Sequence, residues 1–163
     1  MLSETGVRAP KAAAHPLAEL LACPRQAGDI LSGAAQIFQF DAGWVVFRQH
    51  QICNGLYLLA CGSFARRAVR LNARLALGMA HTGELVELAA ALGGGRHTYT
   101  LTAVSAGSLL MLPMATLSRA FELHPPLRMH LLEELAREVS RAYAICCINR
   151  LDARARRMHT KIV

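Results

Sequence analysis

From Leu127 to about Arg157 the chain carries neither glycine nor proline, and this stretch constrains the fold more than any other. About 30 residues without a breaker make a helix well beyond ordinary globular length. Within it Leu135, Val139, Ala142, Cys146, Asn149 and Ala153 recur at alternating spacings of four and three, the seam of a coiled coil. A lone asparagine on such a seam, here Asn149, fixes register. Leu131, Leu132 and Ile145 offer a competing use, packing the helix on its own domain, but the length favours a partner helix. The expected assembly is a homodimer through this helix.

The same stretch concentrates charge. The chain carries a net +7, and residues 137–163 hold seven basic side chains against Glu138 and Asp152. That segment is therefore +5, and the other 136 residues carry only +2. A basic end of this kind meets nucleic acid or an anionic surface, or is simply a solvated helix face.

Upstream the texture is different. Leu17 to Cys23 and Gln26 to Ala35 place apolar residues at helical spacing on either side of Pro24, which predicts one or two short N-terminal helices. Then come short apolar segments at Gln36–Phe40, Trp44–Arg48, Leu56–Ala60, Ser63–Arg70 and Arg74–Gly78, punctuated by Gly43, Asn54-Gly55, Gly62 and Asn72. Such spacing predicts an antiparallel sandwich or barrel, with Asn54-Gly55 as a hairpin turn. Strand character returns at Thr98–Val104 and Ser108–Leu112 after an interruption from Gly83 to Gly95. Pro113 ends the strands, Ala115 to Leu123 reads as a short helix, and His124-Pro-Pro turns into the long one. The fold class is mainly β with flanking α.

Composition narrows the rest. At 53% hydrophobic and 18% charged the chain is globular, and no apolar run approaches the roughly 20 residues that span a bilayer. Residues 1–16 read as a loose basic arm and not a signal peptide, so the expected compartment is the cytoplasm, with no membrane partner. Five scattered cysteines, Cys23, Cys53, Cys61, Cys146 and Cys147, do not make a disulfide framework. Cys146 on the seam would face its counterpart in a partner, where it is a small buried hydrophobe or a redox group.

Several segments, in order, resemble the Crp/Fnr transcription regulators from about Gln36 to Met158. Gly43-Trp-Val-Val-Phe-Arg-Gln-His resembles the family's early strand motif, with His50 where a second glycine is usual. Gly55-Leu-Tyr-Leu-Leu-Ala-Cys-Gly is similar to the next hairpin. Gly83-Glu-Leu-Val-Glu-Leu and Gly93-Gly-Gly-Arg-His-Thr-Tyr-Thr-Leu-Thr-Ala resemble the ligand cassette. Asn149-Arg-Leu-Asp-Ala-Arg-Ala-Arg-Arg resembles the end of the dimer helix. The resemblance implies a double-stranded β-helix, or jelly-roll barrel, that senses a small-molecule effector and repositions a DNA reader. The expected organisation is an arm at 1–16, the sensor at 17–123, the dimerisation helix at 124–158, and a tail at 159–163. A DNA-binding domain would follow that tail, so DNA contact is expected only through it.

The cassette residues that the resemblance singles out are Gly83, Glu84, Glu87, Leu88, Arg96, His97 and Thr98, with Tyr143 on the long helix. In cyclic-nucleotide binders a Gly-Glu pair and an Arg followed by Ser or Thr hold the ribose hydroxyl and the phosphate. Laid on this chain without gaps, the first pair falls on Glu87 and Leu88 and the second on His97 and Thr98. Histidine lacks the guanidinium fork, Glu87 would repel a phosphate, and Arg96 stands one residue early, facing the other side of a strand. Ala142 and Tyr143 occupy the places where cyclic-AMP binders offer a Thr-Ser pair to the base. Binding of cyclic AMP in that manner is not expected.

No cofactor is fixed by the sequence; haem and cyclic nucleotide both stay open, neither favoured. His50, His81, His97, Cys53 and Cys61 are the axial-ligand types a haem would need, while Cys23 alone cannot hold an iron–sulfur cluster. Catalytic motifs are missing: there is no Gly-x-Ser-x-Gly, Walker loop or His-Glu-x-x-His. A cupin-type metalloenzyme would share the barrel but needs clustered histidines, so neither an enzyme nor a metal site is expected. A stand-alone dimeric ligand-binding module is the remaining alternative.

Overall fold

The computed structural model describes residues 7–8 and 14–159, with side chains described for 17–144 and 146–148. Two short helices precede the main strands, α1 (Ala14–Leu20) and α2 (Arg25–Ala34). Pro24 caps α2 at an extended angle, and Ala27 and Leu31, one turn apart, bury its inner face. Gly28 lets the two helices touch: a Cβ there would stand 2.6 Å from that of Ala18. Short β1 (Val7–Arg8) pairs with β2 (Gln36–Phe40).

The remaining strands are β3 (Val45–Phe47), β4 (Gly55–Cys61), β5 (Phe64–Arg70), β6 (Ala73–Ala80), β7 (Leu85–Val86), β8 (Thr100–Ala103) and β9 (Gly107–Pro113). They form two antiparallel sheets, ordered β1-β2-β9-β4-β7 and β3-β8-β5-β6. The expected β class and jelly-roll-like layering are present, as two sheets face to face without a closed barrel among the described residues. A short wide helical turn, Ala90–Gly94, fills the interruption between β7 and β8.

The five-stranded sheet is buried on both faces. On β4, Leu56 and Leu58 face the helices while Tyr57 and Leu59 face the second sheet; on β9, Leu110 and Leu112 alternate likewise with Leu109 and Met111. This period of two yields two cores. One joins that sheet to α1, α2, α3 (Met114–Leu123) and the start of α4 (Pro125–His159). The other, around Phe47, Phe64, Tyr99 and Leu101, lies between the sheets.

Asn54-Gly55 is not a hairpin turn, because β3 and β4 lie in different sheets. Gly55 serves close approach instead: a Cβ there would fall 2.2 Å from the Leu112 carbonyl oxygen. The two-residue hairpin turn joins β5 to β6 at Leu71-Asn72, both with positive φ (50° and 62°), as a primed turn requires.

Leu127 and Leu131 of α4 are fully buried and Leu135 packs partly beside them. Its first turns thus belong to the domain. Beyond them Val139, Ala142, Tyr143, Cys146 and Ile148 are exposed. The seam positions Asn149 and Ala153 lie outside the residues whose side chains are described. No helix among the described residues is long and apolar enough to cross a membrane.

Candidate functional site

The chain between β6 and β8 is held by its own backbone. Gly83, at φ +86°, donates its N–H to the Leu59 carbonyl at 2.8 Å, and Leu59 returns a bond to Glu84. Glu87 follows in a left-handed conformation, φ +67°, which turns its side chain inward. It is 2% exposed. Its carboxylate accepts the Thr98 N–H at 3.1 and 3.2 Å and the Thr98 hydroxyl at 3.1 Å. His97 Nδ1 lies 3.5 Å away. A buried carboxylate costs free energy unless donors surround it, and Thr98 supplies them, while His97 Nδ1 stands close without forming a hydrogen bond.

The neighbours divide by strand alternation. His97 points into the second core, stacked on Phe47 with ring centroids 3.8 Å apart. Arg96 points the opposite way, is exposed, and donates to the His50 carbonyl at 2.9 Å. Leu88, on which the gapless alignment set a carboxylate position, is buried in the helix-side core. The carboxylate at the cassette is that of Glu87, one residue earlier. Tyr143 is 70% exposed on α4. Structure therefore joins Gly83, Glu84, Glu87, His97 and Thr98 in one region and sets Arg96, Leu88 and Tyr143 apart.

Two residues of this region, Arg66 and Glu138, lie outside the cassette segments, and a third, Tyr99, sits within one without being singled out by it. Arg66 on β5 shares a face with Phe64 and Ala68, both packed in the second core. Its Nη2 donates to Glu84 at 2.7 Å and its Nη1 to the Met79 carbonyl at 3.3 Å. Its Nε is buried without a partner. Tyr99 lies under it, with the guanidinium carbon 6.0 Å from the ring centre. Burial pushes the Tyr99 hydroxyl well above its usual range, with Glu87 adding to the effect and Arg66 opposing it. Glu138 of α4 feels the same groups: burial raises its carboxyl, Arg66 and Arg141 pull it down, and Glu87 and Glu84 push it up. The available signal was the alternation Phe64, Arg66, Ala68, masked by the adjoining Arg67.

Of the haem-ligand types, Cys53 is buried and bonded to the Gly55 carbonyl and His97 is stacked in the core. The described residues bring no three His, Cys, Asp or Glu together as a metal site.

The family model described as the cyclic nucleotide-binding domain matches residues 37–124, more than half of the chain. No curated protein matches. Among solved structures, the chain is similar to the catabolite activator protein of Thermus thermophilus, with 24% identity and a TM-score of 0.66 over 77% of this chain and 59% of that one. It is also similar to the sensor domain of the transcriptional regulator DNR from Pseudomonas aeruginosa (19%, TM-score 0.65, 82% and 89%). A third is the N-terminal domain of a transcriptional regulator from Streptomyces coelicolor (20%, TM-score 0.59, 78% and 91%). The chain spans about three fifths of the Thermus protein's length.

Proposed function

Because the chain belongs to the cyclic nucleotide-binding domain family, we propose that it is the effector-sensing and dimerisation module of a Crp/Fnr-type transcription regulator. On this reading residues 17–123 sense, 124–158 dimerise, and the module binds a ligand without catalysing a reaction. Its effector is not cyclic AMP or cyclic GMP held by a phosphate cassette.

One observation carries the effector reading: the Glu87 carboxylate already holds the Thr98 N–H and hydroxyl. Those are the donors a cassette offers to phosphate, and here a resident anion occupies them. Arg96, the guanidinium beside the cassette in sequence, does not compensate, since it is turned onto His50. Losing one charge-assisted bond to a buried phosphate costs about 1.5–3 kcal/mol, roughly ten- to hundredfold in affinity. Repulsion by Glu87 adds to that. The regulator reading draws on neighbours described as transcriptional regulators, and dimerisation on the exposed α4 stripe of Val139, Ala142 and Cys146.

Calorimetry with both nucleotides tests this. The expected result is no binding tighter than about 100 μM. Low-micromolar binding abolished by Arg96→Ala would overturn it, and would mean that the Gly93-Gly94-Gly95 turn slips to bring Arg96 onto the phosphate.

A further inference from the structure

An arginine on the inward face of a sheet is costly unless its donors are met. Arg66 is incompletely met. The Nε–H and Nη2–H of a guanidinium point the same way and fit two oxygens of one carboxylate. Glu84 takes only Nη2, and Nε is buried and unbonded. Beside this half-filled edge, the Tyr99 hydroxyl is also buried; the Glu87 backbone approaches it, but no hydrogen bond of normal geometry forms. Tyr99 itself is 6% exposed. Two orphaned donors and one ion pair thus lie close together on β5, just before β8 and in the turn before β7, with the Glu138 carboxylate of α4 near enough to act on Arg66 and Tyr99.

The two partners of the ion pair are unequally held. The Arg66 side chain is 15% exposed and that of Glu84 is 41% exposed. Glu84 can therefore swing to water while Arg66 stays. We propose that Arg66 anchors the effector by taking both oxygens of a carboxylate on a small organic molecule, with the Tyr99 hydroxyl as a further donor and Glu84 as the resident group the ligand displaces. This deepens the sensor reading above and rests on it. A carboxylate is the class because the edge already holds one, and a one-for-one exchange leaves the local charge unchanged. The neighbouring carboxylates of Glu87 and Glu138 argue against the denser charge of phosphate.

The test titrates succinate and butyrate into the whole 163-residue chain, followed by calorimetry and amide NMR shifts, with inorganic phosphate as the comparison. Either acid should bind in the millimolar range or tighter, and Glu84→Gln should tighten it at least about threefold by releasing the edge. Arg66→Lys keeps the charge but loses the fork and should weaken it at least about tenfold. Tyr99→Phe, which removes only the orphaned hydroxyl, should weaken it at least about twofold and serves if Arg66→Lys fails to fold. The proposal is overturned if neither acid binds parent or Glu84→Gln, if Arg66→Lys or Tyr99→Phe binds like the parent, or if phosphate binds as well as the acids. Cyclic AMP titrated in parallel tests the sensor reading separately, so the two can fail independently.

Discussion

Glu87 combines a left-handed backbone with a carboxylate sealed inside the domain, and among the described residues its direct donors are on Thr98. Glu87→Ala leaves that N–H without an acceptor, at a cost of about 1–3 kcal/mol, and empties the anion seat. The variant should melt below the parent, and 20 mM-scale phosphate (about that level suffices for a millimolar site) should recover part of the loss in the variant but none in the parent, at matched ionic strength. Equal phosphate response in both would contradict a resident carboxylate. Glu138 gives a prediction of opposite character. Its folded pKa lies above the ordinary value because burial disfavours the charged form. The folded state then binds the extra proton, so this group's contribution falls as pH rises above its unfolded pKa. Glu138→Gln should melt above the parent at pH 7.5, with the gap closing towards pH 4. A gap that widens in acid would reverse the sign. The sequence showed Glu87, Thr98 and the outward Arg96 because they sit in a motif. Tyr99 sits in the same motif but carries no cassette role there, and its pairing with Arg66 of β5 exists only in the folded chain.

Among the elements, the strands were legible because turn residues punctuate them, yet Asn54-Gly55 misled. The dipeptide suits a hairpin, but Gly55 is glycine for contact with the β9 backbone, while Leu71-Asn72 turns without any glycine. The resulting β5–β6 hairpin ends in an exposed edge strand with Leu75, Leu77 and Met79 in solvent. Arg67, Arg70 and Arg74, in or beside it, oppose edge-to-edge pairing through like charge. The long helix was the plainest element, and its burial divides it. Leu131 is sealed against the domain, whereas Val139 is 58% exposed. Val139→Glu should therefore leave the fold of one copy intact while setting two carboxylates against each other in a paired seam, a severe cost where they are desolvated. Light scattering should show a dimeric parent and a monomeric variant with similar far-ultraviolet dichroism. A parent that is monomeric at micromolar concentration would end the dimer reading.

Over the whole molecule, helices, a doubly buried sheet and a second sheet stack in three layers, while along the sequence the positive charge gathers in the last 27 residues. The layering was hidden in the sequence because the apolar run Leu56 to Leu59 serves two faces at once, and such a run carries no sidedness. The charge was not hidden. Arg150, Arg154, Arg156 and Arg157 fall within ten residues of helix, beyond the side chains described. Guanidinium groups so placed release counterions from a nucleic-acid backbone without reading bases. The 163-residue chain should therefore bind DNA weakly, with Kd of about 10⁻⁴ to 10⁻⁶ M and no sequence preference. Each phosphate neutralised contributes about −0.9 to the slope of log K against log salt, so replacing two of the four arginines by glutamine should flatten that slope by nearly two. Fluorescence anisotropy across a salt series measures both quantities. A sequence-selective footprint that survives physiological salt would contradict the prediction, because backbone neutralisation alone cannot distinguish one site from another.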